Sequence, residues 1–79
     1  MKVNVLFFGA TADLVGSRQV ETSLAETAVA SDVVEQLHAE YPSLRGRNLL
    51  VAVNEQYAAE NTPLKNGDEL AIFTPVSGG

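Results

Sequence analysis

Hydrophobic and polar positions change period several times along the chain, and each change predicts an element. Over residues 2–8 the period is two. Val3, Val5 and Phe7 fall on one face, and Lys2, Asn4, Leu6 and Phe8 fall on the other, so a strand is predicted. Residues 9–16 read as a connection with room for a short helical turn. Residues 18–24 alternate again, Val20, Thr22 and Leu24 against Gln19, Glu21 and Ser23, which predicts a strand with one wet face. The period then becomes helical. Ala30, Val33, Val34, Leu37 and Tyr41 form one apolar stripe, with Ser31 as the expected cap, a start within Ala28 to Ala30 as the alternative, and Asp32 in the first turn, where the helix dipole favours a negative charge. Pro42 ends this helix near Tyr41, because the residue before proline is driven out of the α region. Leu49 to Val53 is a nearly continuous apolar run, suited to a strand inside a sheet. A turn at Asn54-Glu55 leads to a short edge strand over Gln56-Tyr57-Ala58. Asn66-Gly67 is a turn signal, since both residues tolerate positive φ. Glu69 to Phe73 is the last strand.

The first and last strands are both strongly apolar, which places them side by side and parallel at the sheet centre. One helix covers one face of a mixed sheet of four to five strands. This is an α+β chain with the β-grasp, or ubiquitin-like, arrangement, a single domain over residues 1–79 with a tail at 74–79. One helix covers only one face. Leu6, Phe8, Ala71 and Phe73 belong to the other, where Phe8 and Phe73 are expected close together and Tyr57 within reach. An aromatic group beside a protruding tail points to a docking surface. The competing expectation is that a loop, residues 9–16 or 58–66, folds over it.

Composition removes several classes of chemistry. Seventy-nine residues without cysteine allow no disulfide, thiolate zinc site or iron–sulfur cluster. The longest apolar run, Val5 to Ala10, is too short to span a bilayer, and Met1-Lys2-Val3-Asn4 lacks a signal-peptide pattern, so a soluble cytoplasmic protein is expected, with no membrane partner. A net charge of −5 repels phosphate backbones and argues against nucleic acid. It suits basic clefts on protein partners, and equally suits solubility alone. His38 is the single histidine and reads as a solvated helix residue. Arg45 and Arg47 read as a solvated basic loop. Neither a phosphate-binding loop nor a dinucleotide fingerprint is present.

The chain ends Thr74-Pro75-Val76-Ser77-Gly78-Gly79, directly after an apolar strand. Residues without a Cβ pass through channels too narrow for side chains. Two of them at the carboxylate point to a working group delivered into another protein's active site.

Three segments carry a family resemblance: Val5-Leu6-Phe7-Phe8 followed by Asp13-Leu14-Val15-Gly16; Leu49 to Asn54; and, most specifically, Pro63 to Gly79, with its Gly-Asp turn, apolar strand, Pro-Val and terminal Gly-Gly. The chain resembles the small, sulfur-carrier subunits of molybdopterin synthase, within the ubiquitin-like sulfur carriers. Thr74 stands where that family often has a second proline, and residues 26–47 are only loosely similar. The resemblance implies that no cofactor is bound permanently. An E1-like adenylyltransferase uses ATP to turn the Gly79 carboxylate into an acyl adenylate, and a sulfur donor protein converts it to a thiocarboxylate. The large synthase subunit then receives the tail, in a hetero-tetramer, and the sulfur passes to cyclic pyranopterin monophosphate. In this scheme Gly79 is the reacting residue. Pro75, Val76, Ser77 and Gly78 thread the channel, and Phe8, Tyr57 and Phe73 dock. Catalytic residues are expected on the large subunit. Three other readings stay open: a ubiquitin-like modifier conjugated through Gly79, a carrier for thiamine thiazole synthesis, and a plain interaction domain.

Overall fold

A computed structural model describes residues 1–75. In chain order the elements are β1 (Lys2–Phe7), α1 (Ala10–Val15), β2 (Gln19–Ser23), α2 (Ala30–Glu40), a 3-10 turn (Pro42–Leu44), β3 (Leu50–Val53), β4 (Gln56–Tyr57) and β5 (Glu69–Phe73). The strands form one mixed sheet in the order β2-β1-β5-β3-β4. β1 and β5 are parallel neighbours, Val5 opposite Leu70 and Phe7 opposite Ile72. The other pairings are antiparallel. The expected β-grasp topology is therefore present, with the most apolar strands in the middle.

Alternation sets the two faces. Val3, Val5, Phe7, Leu70 and Ile72 point toward α2 and are buried with Val33 and Leu37. Each such side chain contributes about 1.5–3 kcal/mol by leaving water. Phe7 meets Tyr41 edge-on, with ring centroids 6.1 Å apart, which ties the top of β1 to the end of α2. Leu44, in the 3-10 turn, is also fully buried and belongs to the same core, a position the aperiodic Pro42-Ser43-Leu44 segment did not announce.

Helix α2 begins at Ala30, two residues before a Ser31 cap would start it, and Ser31 is not its cap. Val29 is the extended capping residue. The N–H groups of Ala30 and Ser31 donate to the carbonyls of Thr62 and Glu60, both at 2.9 Å, so the first turn is satisfied by a distant loop rather than by a hydroxyl. Asp32 does act in the first turn: its Oδ2 accepts from the Val29 N–H at 2.8 Å. At the other end Tyr41 leaves helical geometry (φ −125°, ψ 83°) ahead of Pro42, as expected.

The two turns differ in how they meet their signals. Asn54 and Glu55 both take positive φ, 49° and 71°, which is the twist a two-residue hairpin between β3 and β4 requires. At Asn66-Gly67 only Gly67 does, with φ 88°. This turn does not close a hairpin. It returns the chain from the segment after β4 to β5, and the Asn66 side-chain oxygen accepts from the Lys2 N–H at 2.8 Å. His38 is half-buried rather than solvated, with Nε2 enclosed and unpartnered among the described residues.

Candidate functional site: the tail root and the open sheet face

Register places side chains across the uncovered face in rows. One row runs Gln19, Leu6, Ala71, Ala52, Tyr57, each opposite the next on a neighbouring strand. The next begins where Leu50 stands opposite Phe73. This face is apolar at its centre because β5 alternates Leu70 and Ile72 inward with Ala71 and Phe73 outward. Tyr57 and Phe73 meet as a tilted pair, centroids 5.9 Å apart at 59°. Tyr57 is 81% exposed and Phe8 52% exposed. Among the described residues these two are the large apolar side chains left most exposed to water.

Neither candidate loop covers this face. Helix α1 seals the end of the core instead, with Thr11 buried and Ala12, Leu14 and Val15 packed inward. Residues 58–66 run beside the start of α2, where Val29 bridges to Pro63 and Leu64 is buried.

The structure brings Tyr57 and Phe73 together as the sequence suggests. Phe8 is adjacent to β5 through its backbone, its N–H donating to the Ile72 carbonyl at 3.1 Å. Its ring does not pair with that of Phe73: among the described residues the ring partner of Phe73 is Tyr57, while Phe8 lines a shallow depression with Leu6, Asp13 and Arg18. β1 ends at Phe7 because Gly9, at φ 58°, turns the chain into α1. Pro75 is exposed and is the last described residue. Val76, Ser77, Gly78 and Gly79 lie outside the described residues.

Sequence reasoning passed over Thr11. It is fully buried, and its hydroxyl lies 2.7 Å from the Phe8 carbonyl and 3.0 Å from the Ile72 carbonyl, so α1 is tied to the last rungs of the central strand pair. No sequence period marks it, since one of its partners is 61 residues away.

Charge is unevenly placed. The strand directions put Arg18, Arg45 and Arg47 at the end of the sheet where β5 leaves, together with only Asp13 and Glu40. The other eight acidic residues, with Lys2 and Lys65, occupy the rest of the molecule. Arg45 closes the end of α2, its Nε donating to the His38 carbonyl at 3.0 Å. Among the described residues no three His, Cys, Asp or Glu side chains converge on a common point, and no helix is long and apolar enough to cross a membrane.

One helix across a mixed sheet, with parallel central strands and a tail leaving the middle strand, is the architecture of the ubiquitin-like β-grasp proteins. Solved structures bear this out. A putative molybdopterin converting factor subunit 1 from Pyrococcus furiosus superposes with a TM-score of 0.91 at 27% identity, covering 96% of this chain and 99% of that one. SAMP1 from Haloferax volcanii gives 0.89 at 29% identity over all of both chains. A chain from the protein–protein complex of subunits 1 and 2 of molybdopterin-converting factor from Helicobacter pylori gives 0.68 at 28% identity, again over all of both chains. Residues 5–79 match the ThiS family, and the chain belongs to that family. Molybdopterin synthase sulfur carrier subunits are similar over their whole length. That of Haemophilus influenzae is 36% identical over 80 residues, covering 98% of this chain and 99% of the relative. That of Drosophila yakuba is 37% identical over 83 residues, covering 100% and 92%.

Proposed function

We propose that this chain carries sulfur for molybdopterin synthase in the cytoplasm, as a thiocarboxylate on Gly79. The observation that carries the reading is the extent of the family match. It runs through the terminal Gly78-Gly79, and the relatives alike over full length are sulfur carrier subunits.

The chemistry follows from the weakness of a carboxylate as an electrophile. Its leaving group would be oxide. An E1-like activating enzyme joins the Gly79 carboxylate to the AMP portion of ATP and releases pyrophosphate. A persulfide on a donor protein attacks the acyl carbon and expels AMP. A thiol then cleaves the sulfur–sulfur bond and leaves the thiocarboxylate. The chain supplies no catalytic side chain in this scheme and holds no resident cofactor. Its contribution is presentation. Gly78 and Gly79 fit a narrow channel, and Pro75 restricts the tail and so reduces the entropy lost when Val76 and Ser77 follow it in. Phe8, Tyr57 and Phe73 present the apolar surface beside it. The partner for that surface is the large synthase subunit, in a hetero-tetramer. The similarity to one chain of the Helicobacter pylori subunit 1–subunit 2 complex supports this pairing.

A second reading has its own support. The similarity to the small archaeal modifier protein 1 of Haloferax volcanii favours a role in which Gly79 is also joined to lysines of other proteins. Intact mass spectrometry of the protein from cells growing on a molybdenum-dependent pathway separates the two. A mass increase equal to one oxygen-to-sulfur exchange, mapped to Gly79 and lost in a folded chain lacking Gly79, is the expected result. An unmodified terminus in the presence of activating enzyme and donor, with isopeptide adducts recovered instead, would replace the carrier with the modifier.

A further inference from the structure

We propose that Thr11 is a positioning residue: it ends the β1–β5 ladder and so fixes where the carboxy-terminal tail leaves the sheet. In a parallel pair, a residue facing its neighbour donates its N–H to one carbonyl. Its own carbonyl accepts from the residue two places further along. The ladder here follows that rule at both ends, with the Asn4 N–H donating to the Asp68 carbonyl at 2.9 Å and the Phe8 N–H to the Ile72 carbonyl at 3.1 Å. The next rung would join the Phe8 carbonyl to the Thr74 N–H. That carbonyl is already occupied. It accepts from the Thr11 hydroxyl at 2.7 Å and the Thr11 N–H at 3.3 Å. A carbonyl has two lone pairs, and Thr11 engages both. Thr11 is fully buried, and its hydroxyl is held between this carbonyl and that of Ile72, 3.0 Å away.

The opposite side of β5 is closed to further pairing by a different means. Residues 69, 71 and 73 turn their backbone groups toward β3, as the Asn54 N–H to Glu69 carbonyl bond of 2.8 Å shows. Residue 75 is the next in that series, and proline has no N–H to give. Thr11 on one side and Pro75 on the other therefore make Thr74 the first residue of the tail. Were the ladder to take Thr74, the free tail would lose up to two residues, about 7 Å of reach.

The structural part of this inference stands alone, and its functional consequence rests on the carrier reading. The test is amide hydrogen exchange by NMR on the full chain. In the wild-type protein the Thr74 amide exchanges at the rate of an unpaired residue. In Thr11→Val, which keeps the shape and removes the hydroxyl, Thr74 exchange slows by about fivefold or more, and a through-bond coupling appears between the Thr74 N–H and the Phe8 carbonyl. Thr11→Ser restores fast exchange. Sulfur loading at saturating activating enzyme falls about tenfold in Thr11→Val and is retained in Thr11→Ser. A protected Thr74 amide in the wild-type protein overturns the proposal, and this measurement decides the matter even if Thr11→Val does not fold. Thr74 exchange unchanged in a folded Thr11→Val overturns it equally. A wild-type chain that shows the expected exchange yet never loads sulfur overturns the carrier reading and leaves the ladder assignment intact.

Discussion

Replacing Tyr57 by Ala tests the proposed docking role apart from folding, because Tyr57 is exposed while the core is built from other side chains. Tyr57 is 81% exposed on a two-residue edge strand, so little of its ring leaves water when the chain folds. Exposed substitutions usually change stability by no more than about 0.5 kcal/mol. The ring pair with Phe73, centroids 5.9 Å apart, adds to this; such pairs contribute about 0.5–1.5 kcal/mol, and the low end applies where water screens both rings. The total is about 1 kcal/mol, and a domain of this size loses about 4–8 °C in Tm for that amount. Binding is affected more. An aromatic anchor near the centre of an interface costs about 2 kcal/mol or more when truncated, which is about a thirtyfold rise in Kd. The assay is titration calorimetry of the carrier against the large synthase subunit, beside a thermal melt of the carrier alone. The expected result is a large loss of affinity with a small loss of Tm. The double variant with Phe73→Ala should then cost less than the sum of the single changes, since the two rings are in contact. A Kd within about twofold of wild type would refute the assignment, because a central contact at an interface does not vanish that cheaply.

Two further outcomes follow from burial and charge placement. Leu37→Ala empties a fully buried site at the centre of α2's packed face and should cost about 3–5 kcal/mol, a large part of the total for 79 residues; a urea titration showing a loss below about 1 kcal/mol would contradict that packing. Association with the large subunit should depend weakly on salt, its rate changing by less than about threefold between low and high ionic strength, because the acidic groups are mostly away from the tail; a steep fall in stopped-flow rate with salt would mean they guide the encounter.

Those residues whose partners are near in sequence, or whose period is regular, were legible in advance. Val3, Val5 and Phe7 announce a strand face, Ala30, Val33 and Leu37 a helix stripe, and both are buried as read. The parallel pairing of β1 with β5 followed from their shared apolar character. What the sequence concealed is long-range. The carbonyls of Glu60 and Thr62 satisfy the start of α2, so Ser31, a sound local signal, is not used as a cap. Leu44 is buried by a 3-10 turn with no period to reveal it. That β1 ends at Phe7 and leaves Phe8 beyond it, where Gly9 turns the chain at φ 58°, is not specified by alternation alone. At the site, Tyr57 and Phe73 were legible because both alternate onto one face, whereas Thr11 depends on a contact with Ile72 across the whole chain.

The length of the tail limits where a partner can sit. Six residues, 74–79, follow β5, and fully extended they reach about 20 Å. β5 cannot yield more chain cheaply, since Leu70 and Ile72 are fully buried at the centre of the sheet and pairing continues to Phe73. Any enzyme that acts on Gly79 must therefore bring its reacting centre within about 20 Å of the top of β5, and its body must contact the carrier there. The surfaces nearest the root of the tail are the apolar row around Phe73 and Tyr57 and the depression by Phe8, with most of the acidic residues farther down the strands. An activating enzyme and a large subunit that both use Gly79 are thus directed to overlapping ground. On the carrier reading, the same geometry predicts that loading and delivery are successive steps, and one carrier chain held by both enzymes in a single complex would refute it.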